Sequence, residues 1–329
     1  MKEGLIIGKF SPLHKGHIAL VEFAIKYCEN LSLIVCYTDK ETIPGELRLS
    51  WLNKTFSEVD HISIIGFHYD ENELPNTSVS SEQTALAWAK ALSKIIDTVD
   101  VVFSSEPYGD YLANYFSCKH ILFDNLRKIV PVSASNIKED PLKYWNFIAD
   151  ACKTYFIKKI AIIGTESTGK TTLTEMLGKT FNTNFVHETA REIIEQTEEC
   201  TYDDLGKIAV LQAETIIKKM DGSNKLLFVD TELNITKSYS RFLFNKKLIV
   251  DEWIENLNKF DLYLYLESDC PFVQDGTRLN EEERIKLDKS HKEQFKQAGI
   301  SFISITGNWD ERFNTACTII KNHFKIKES

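Results

Sequence analysis

Short apolar runs alternate with longer amphipathic stretches from one end of the chain to the other. The runs are rich in Val, Ile, Leu and Phe, which is typical of strands buried in a parallel sheet. Between them, apolar residues recur every three or four positions, as expected of helices such as Ser81–Ile96, Leu205–Met220 and Glu281–Gln297. The predicted strands are, in chain order, Leu5–Ile7, Leu31–Cys36, Ile62–Ile65, Val101–Phe103, Ile121–Phe123, Ile160–Ile163, Asn184–His187, Leu226–Val229, Leu262–Leu266 and Phe302–Ile305.

The predicted strands form two series of five, and the second series opens with a fresh strand followed by a glycine-rich turn. The chain has 329 residues, about twice the ~150 residues that an average domain uses. We therefore predict an α/β protein with two doubly wound parallel-sheet domains, one over residues 1–150 and one over residues 158–329.

Composition and charge restrict the classes of partner. Apolar residues make up 43% of the chain, as in globular proteins, and 48 acidic residues against 39 Lys and Arg give a net charge of −9. A negatively charged protein repels a phosphate backbone unless its basic residues are clustered, and the sequence contains no such cluster. We therefore expect no nucleic-acid partner.

The seven cysteines are scattered and form no Cys-x-x-Cys pair, which argues against both a zinc knuckle and a disulfide framework. The N-terminal residues lack the long apolar core of a signal peptide. No apolar run approaches the ~18 residues of a membrane span. These features predict a cytoplasmic protein without membrane insertion.

The most specific motif is a complete G-x4-G-K-[ST] sequence that follows one predicted strand and precedes a helical pattern. Its glycines allow backbone N–H groups to face a phosphate at a helix N-terminus. Lys170 is expected to contact the β and γ oxygens, and the Thr171 hydroxyl is expected to bind Mg²⁺. A turn that merely joins strand to helix would leave the Lys-Thr pair unexplained. The predicted ATP-binding residues are Gly164, Thr165, Glu166, Ser167, Thr168, Gly169, Lys170, Thr171 and Thr172.

Two further segments follow strands of the same series. Asp230 ends an apolar strand, where a kinase needs a carboxylate for Mg²⁺ or substrate, although a helix-capping role is the alternative. Glu188 and Arg191 follow the preceding strand three positions apart, which suits either catalysis and substrate binding or a simple intrahelical ion pair.

A third segment carries a candidate lid. The sequence Asp275-Gly276-Thr277-Arg278 interrupts the pattern between a strand and a helix, so a mobile loop could bring Arg278 over the transferring phosphoryl group. Asp275 is a candidate substrate-binding residue, and Arg284 is expected to be a solvated helix residue.

A second phosphate motif lies near the N-terminus. Its sequence is Gly8-Lys9-Phe10-Ser11-Pro12-Leu13-His14-Lys15-Gly16-His17, again between a strand and a helix. Two histidines and a glycine at a helix start favour an anion site. His14 and His17 could also be two metal ligands or ordinary surface residues, but no third ligand stands at a suitable spacing.

This run resembles the G-x-F-x-P-x-H-x-G-H signature of the nucleotidyltransferase superfamily and matches it at every defined position. The resemblance implies that His14 and His17 are catalytic and that Gly8, Lys9 and Phe10 bind ATP. The segment Val132–Lys138 resembles the same family's serine-rich turn, which implies ATP contacts from Ser133, Ser135 and Lys138. Lys138 departs from the family pattern, which has Arg there.

A nucleotidyltransferase followed by a P-loop kinase resembles the bifunctional nicotinamide mononucleotide adenylyltransferase and ribosylnicotinamide kinase family, of the NadR type. The resemblance implies an N-terminal Rossmann-like nucleotidyltransferase fold and a C-terminal P-loop kinase fold. The kinase domain would phosphorylate ribosylnicotinamide with ATP and Mg²⁺, with Glu188 or Asp230 as base and the other on Mg²⁺ or ribose. The N-terminal domain would then transfer an adenylyl group from ATP to nicotinamide mononucleotide, which gives NAD and pyrophosphate.

Some members of that family carry an additional N-terminal DNA-binding domain. Here the first motif begins at Gly8, so we expect that domain to be absent. The sequence leaves open a homo-oligomer, nicotinamide or nicotinic acid as the preferred base, and two alternative functions: the synthesis of a different nucleotide cofactor, or a nucleotide sensor without turnover.

The departure at Lys138 generates a prediction. Arg adds a bidentate fork that orients the leaving pyrophosphate, whereas Lys supplies only a point charge. We expect Lys138→Arg to hold or raise kcat/KM for ATP in adenylyl transfer. Lys138→Ala should lower it by ~10–10²-fold, or ~1.4–2.8 kcal/mol, without changing kinase activity. Adenylyl transfer unaffected by Lys138→Ala would identify Lys138 as an ordinary exposed residue.

Overall fold

The computed structural model describes residues 2–74, 82–190, 193, 200–269 and 281–326. The chain divides into two compact units, Met1–Tyr155 and Phe156–Ser329. Each unit contains one five-stranded sheet, and its neighbouring strands pair in parallel. Among the residues described, no helix is both long enough and apolar enough to cross a membrane.

The sheet of the first unit has the strand order β3-β2-β1-β4-β5. Its strands are β1 (Glu3–Gly8), β2 (Asn30–Tyr37), β3 (Ile62–His68), β4 (Val101–Ser104) and β5 (Lys119–Leu122). The helices are α1 (Lys15–Ala24), α2 (Gly45–Thr55), α3 (Glu82–Leu92), α4 (Tyr108–Phe116), α5 (Ala134–Glu139), a 3₁₀ turn (Trp145–Phe147) and α6 (Asp150–Phe156), which ends on the first residue of the second unit.

The central strands of this sheet are apolar on both faces because helices cover both sides. Leu5, Leu33 and Phe103 have no solvent exposure at all. The strand order changes direction between β1 and β4, and in open parallel sheets ligands bind beyond the carboxyl ends of the strands at such a point. The Gly8 to His17 motif follows β1 and therefore lies at this point.

The sheet of the second unit has the order β10-β9-β6-β8-β7. Its strands are β6 (Lys158–Gly164), β7 (Phe185–Val186), β8 (Leu226–Asp230), β9 (Leu262–Leu266) and β10 (Ile303–Ile305). The helices are α7 (Lys170–Thr180), α8 (Tyr202–Met220), α9 (Leu233–Phe244), α10 (Glu252–Leu257), α11 (Glu281–Gln297) and α12 (Trp309–His323).

The central strand β6 sets the positions of the candidate site residues in this unit. It pairs on one side with β8, in a register that sets Ile162 opposite Asp230, and on the other side with β9, where Gly164 is opposite Leu266. The glycine-rich loop from Gly164 to Lys170, here called the phosphate loop, follows the carboxyl end of β6, so Asp230 at the end of β8 lies beside it.

The predicted α/β fold class is confirmed, and each of the ten predicted strands overlaps an observed one. The predicted helix Leu205–Met220 begins earlier, at Tyr202, because the Thr201 side chain accepts a hydrogen bond from Asp204 N and forms a capping box. Strand β7 is shorter than predicted, as suits an edge strand.

The expected solvent exposure of Arg284 is wrong, because its side chain is only 5% exposed. Arg284 lies on the buried face of α11 with Leu287, Asp288, His291, Gln294 and Phe295. Four of these six residues are polar, so the apolar periodicity that predicted the helix does not mark Arg284 as a buried residue.

Candidate nucleotide-binding sites

The loop after β6 is built on two glycines that other residues could not replace. Gly164 has φ +144°, and a Cβ atom there would lie 2.5 Å from the carbonyl oxygen of Leu266. Gly169 caps α7 with φ +85°, and its Cβ would lie 2.1 Å from the Trp309 ring. Between them, Thr168 Oγ1 donates to Thr165 O at 2.8 Å. The loop therefore turns tightly and directs its backbone to the start of α7.

Lys170 and Thr171 begin α7 beside the carboxyl end of β8. Lys170 Nζ donates to the carbonyl oxygen of Thr165 within the loop, at 3.0 Å. Thr171 Oγ1 donates to Asp230 Oδ2 at 2.6 Å, and the Asp230 side chain is fully buried. The fold thus joins a hydroxyl and a carboxylate that are 59 positions apart in the chain.

This pair suits the Mg²⁺ ion predicted from the motif. Mg²⁺ prefers hard oxygen ligands and usually keeps waters and substrate phosphates beside one or two protein groups. No cluster of three His, Cys, Asp or Glu side chains with metal-binding geometry exists within the described residues. The oxygen atoms of Thr171 and Asp230 fit an ion that phosphates would share.

Arg312 is a functional candidate that the sequence did not reveal. Its side chain is 3% exposed, and Nη1 donates to Thr168 O in the phosphate loop at 2.8 Å. Nε donates to Gly307 O and Nη2 to Glu267 O and Asp269. Three of its acceptors are backbone carbonyls, which leave no mark in a sequence. Arg312 therefore links the phosphate loop by hydrogen bonds to Glu267, Asp269 and Gly307.

Gln212 connects two strand ends in the same way. Its Oε1 atom accepts from Thr189 N at 3.2 Å and from Thr189 Oγ1 at 2.9 Å, while Nε2 donates to Asp230 O at 3.2 Å. The amide sets the spacing between the segment that carries Glu188 and the strand that carries Asp230. As one polar residue on the inner face of α8, it carried no sequence signal.

Two predicted site residues, Glu166 and Glu188, interact electrostatically with Tyr239. The Tyr239 hydroxyl donates to Glu166 Oε1 at 3.1 Å. Burial raises the pKa of Tyr239 well above its usual value, and the charges of Glu166 and Glu188 raise it further. Tyr239 therefore stays a neutral donor, and the Glu166 side chain is oriented toward α9. Three other predicted site residues, Arg191, Asp275 and Arg278, lie outside the described residues.

In the first unit, His14 and His17 form the start of α1. His14 Nδ1 accepts from Gly16 N at 3.1 Å, and His17 Nδ1 accepts from His14 N at 3.4 Å. The two rings stack with centroids 3.7 Å apart. Because each Nδ1 atom accepts a backbone hydrogen bond, the neutral rings carry their protons on Nε2. Each ring can therefore donate one hydrogen bond to a bound oxyanion.

Both rings are uncharged at neutral pH. Burial, together with the positive charge of Arg127, lowers the pKa of His14 to about 4. Burial, His14 and Arg127 hold the pKa of His17 well below its usual value. The two histidines therefore act as hydrogen-bond donors, and any positive charge at this site must come from a neighbour.

A partly buried ionic network joins Lys9 of the Gly8 to His17 motif to Glu41 and Arg48. Arg48 has no solvent exposure, donates to Lys9 O at 2.7 Å and forms an ion pair with Glu41. Glu41 also binds Lys9 Nζ at 2.7 Å. The Lys9 ammonium, predicted to bind phosphate, is thus paired within the protein, and Phe10 is 2% exposed with φ +47°. Neither Glu41 nor Arg48 belongs to the motif, so sequence analysis missed both.

The serine turn caps a short helix. Ser133 Oγ accepts from Asn136 N at 3.1 Å and donates to Asn136 Oδ1 at 2.6 Å. Ser135 and Lys138 are exposed. The Ser133 hydroxyl is occupied by its cap, so only the backbone and the exposed side chains of this turn are open to a ligand.

Comparison with known proteins finds relatives that align with both units of the chain. A family model described as an AAA domain matches residues 159–312. The trifunctional NAD biosynthesis/regulator protein NadR of Escherichia coli is 26% identical over 97% of this chain and 82% of its own length. The protein of the same name from Salmonella typhimurium is 27% identical, with the same coverage.

Solved structures agree on the fold. A NadR protein in complex with NR superposes with a TM-score of 0.80 at 21% identity, over 100% of this chain and 97% of the other. A NadR protein in complex with NAD and AMP-PNP gives 0.79 at 22% identity, again over 100% and 97%. The predicted resemblance to the NadR type is confirmed, as is the predicted α/β fold.

Gly169 supplies a test of the phosphate loop. An alanine there would adopt a strained left-handed conformation and meet the Trp309 ring. In calorimetric titration with a non-hydrolysable ATP analogue, we expect Gly169→Ala to lose one of two binding events. Gly206→Ala is the control, since its Cβ would meet nothing within 4 Å and helix propensity favours it by up to about 1 kcal/mol. Wild-type stoichiometry in Gly169→Ala would contradict this geometry.

The low pKa of His14 predicts a dependence of stability on pH. The folded protein protonates His14 only near pH 4, whereas the unfolded chain does so near 6.5. The neutral His14 ring therefore makes its full contribution to the free energy of unfolding above pH 6.5. This contribution is lost as the pH falls toward 4, by about 3 kcal/mol in total. Urea unfolding across this range should show a smaller pH dependence for His14→Asn, which keeps a cap acceptor and does not titrate. An unchanged dependence would contradict the assignment.

Proposed function

We propose that this protein, which is similar to the NadR proteins over 97% of its length, makes NAD from ribosylnicotinamide in two ATP-dependent steps. It is an enzyme of the transferase class and of NAD biosynthesis. The observation that supports the proposal is that a motif typical of phosphate binding follows a strand in each of the two parallel sheets. The Escherichia coli NadR protein aligns with the chain across both motifs.

The second unit would carry out the kinase step. The ribose 5′-hydroxyl oxygen attacks the γ-phosphorus of ATP, the bond to the β–γ bridging oxygen breaks, and ADP leaves. Lys170 and the loop amides hold the β and γ oxygens. Thr171 and Asp230 would hold Mg²⁺, which neutralises phosphate charge when bound. Since Asp230 is hydrogen-bonded to Thr171, we assign Glu188 as the base that accepts the hydroxyl proton.

The first unit would carry out adenylyl transfer. A phosphate oxygen of nicotinamide mononucleotide attacks the α-phosphorus of a second ATP, and pyrophosphate leaves with the electrons of the broken bond. No proton transfer and no protein nucleophile are needed, so the protein supplies position and charge stabilisation. His14 and His17 would donate from Nε2 to the phosphoryl oxygens that gain charge.

Several residues enter this scheme as predictions. Arg191 and Asp275 would bind substrate, and Arg278 would contact the transferring phosphoryl group. Ser133, Ser135 and Lys138 would bind the β and γ phosphates of ATP in the first unit. The cytoplasmic location and a homo-oligomeric state also stay predictions.

The two activities should be separable by single substitutions. We expect Lys170→Ala to abolish formation of the mononucleotide from ribosylnicotinamide, while dinucleotide formation from supplied mononucleotide continues. His17→Ala should have the reverse effect. Removal of one donor to a developing charge lowers the rate by about 10²–10³-fold. The measurement is mass spectrometry of the products after incubation with ATP, Mg²⁺ and either substrate.

Three outcomes would contradict the scheme. Equal loss of both activities in Lys170→Ala would contradict two separate sites. Binding of ATP and ribosylnicotinamide without any product in the wild type would favour a nucleotide sensor, and product from a different nucleoside would favour another cofactor pathway.

A further inference from the structure

Trp309 is the most exposed of the five tryptophans, although it lies against the phosphate loop. Trp51 and Trp145 are each 4% exposed, whereas Trp309 is 56% exposed. Tryptophan is highly buried on average in folded proteins. Core packing therefore does not account for a tryptophan at this position.

The indole ring covers the glycine that precedes α7. A Cβ atom built on Gly169 would lie 2.1 Å from Trp309 Cη2 and 2.4 Å from Cζ3, so the ring is in contact with the backbone of the phosphate loop. Both atoms belong to the edge of the ring that is farthest from the Trp309 backbone. The contact uses this edge, and more than half of the residue stays accessible to a ligand.

The first turn of α12 holds Trp309 in place beside the loop. The Asn308 side chain caps this helix by accepting hydrogen bonds from two backbone N–H groups of the turn, both at 3.1 Å. One turn later, Arg312 binds the phosphate loop at Thr168 O. The indole is thus attached to a turn that hydrogen bonds join to the loop, and a preorganised side chain costs little conformational entropy when a ligand binds it.

The order of the strands places Trp309 on the side of the phosphate loop that is opposite to the candidate base. In the order β10-β9-β6-β8-β7, Asp230 ends β8 and Glu188 follows β7, on one side of β6. Trp309 follows β10, on the other side. In phosphoryl transfer, the attacking oxygen, the γ-phosphorus and the leaving oxygen lie roughly in line. An acceptor hydroxyl beside Glu188 therefore requires ADP to extend toward β10, where Trp309 lies.

We propose that Trp309 binds the adenine ring of ATP in the kinase site, with its indole stacked on the base. This inference rests on the proposed function of the second unit. Adenine is flat and uncharged, and offset stacking on an aromatic side chain suits such a ring. The unit then holds ATP at both ends, because the phosphate loop binds the triphosphate and Trp309 binds the base.

A stacking contact at the base has a distinct kinetic signature. The base is remote from the bonds that form and break, so stacking stabilises the bound substrate and the transition state equally. Its loss raises KM for ATP and leaves kcat nearly unchanged. A distorted phosphate loop would instead displace Lys170 and Thr171 from the phosphates and lower kcat.

The test compares Trp309→Ala with Trp309→Phe and with the matched control Trp253→Ala, which removes the other tryptophan of the second unit, 43% exposed. For mononucleotide formation from ribosylnicotinamide, we expect Trp309→Ala to raise KM for ATP about 10-fold and to keep kcat within about twofold of the wild type. Trp309→Phe should recover most of the ATP affinity. Trp253→Ala should keep the wild-type KM for ATP.

Inorganic tripolyphosphate separates stacking from support of the loop. It carries the phosphates of ATP without the base, so its inhibition constant against ATP in mononucleotide formation should be the same in the wild type and in Trp309→Ala. Equal weakening of ATP and tripolyphosphate in Trp309→Ala would mean that Trp309 supports only the phosphate loop, and would overturn the inference.

Tryptophan fluorescence tests the stacking without turnover, because a stacked purine quenches indole emission. A non-hydrolysable ATP analogue should quench Trp253→Phe more strongly than Trp309→Phe, while binding in the first unit contributes equally to both. If the wild type forms no mononucleotide, the proposed function fails, and this difference in quenching still tests Trp309. Equal quenching in the two variants, or an unchanged KM for ATP in Trp309→Ala, would overturn the inference.

Discussion

Both sites depend on one constraint of parallel sheets: every strand ends on the same edge, where the next helix begins with N–H groups that have no partner within the helix. In the second unit this constraint brings Thr171 and Asp230 into hydrogen-bond contact across 59 positions of sequence. In the first unit it sets His14 and His17 at the beginning of α1, directly after β1. The positions of the two candidate anion sites therefore depend first on the topology of the sheets and only then on individual side chains.

Buried polar side chains hold these loops in place from the protein side. Arg312 binds the carbonyl oxygen of Thr168, Arg48 binds that of Lys9, and Gln212 bridges Thr189 to Asp230. Each satisfies backbone groups that a tight turn leaves without partners, and each is at most 6% exposed. Breaking such a contact leaves a buried polar group unpaired, which costs more than the bond itself contributes. These residues therefore fix the geometry of the loops through contacts within the protein.

The net charge of the whole protein differs in sign from the charge that a phosphate site needs. The net charge of −9 would repel nucleotides. In the first unit, the motif's own Lys9 is paired with Glu41 and the two histidines are held neutral by burial. Within the motif, Lys15 is an exposed cation at the first position of α1. The charge of Arg127 adds to burial in lowering the pKa of both histidines.

The sequence alone determined the α/β class, the ten strands and the two phosphate motifs, because these depend on local periodicity and on contiguous residues. Gly164, Gly169 and Lys170 can be identified from the sequence because a loop that binds a phosphate needs consecutive backbone N–H groups, and its residues are therefore contiguous in the chain. The tertiary structure alone decided which side chains support that loop. Arg312 and Gln212 bind mainly backbone atoms and distant residues, and Arg284 lies on a buried helix face that is mostly polar. Contacts of this kind depend on distances between strands and helices, and a linear sequence does not contain those distances.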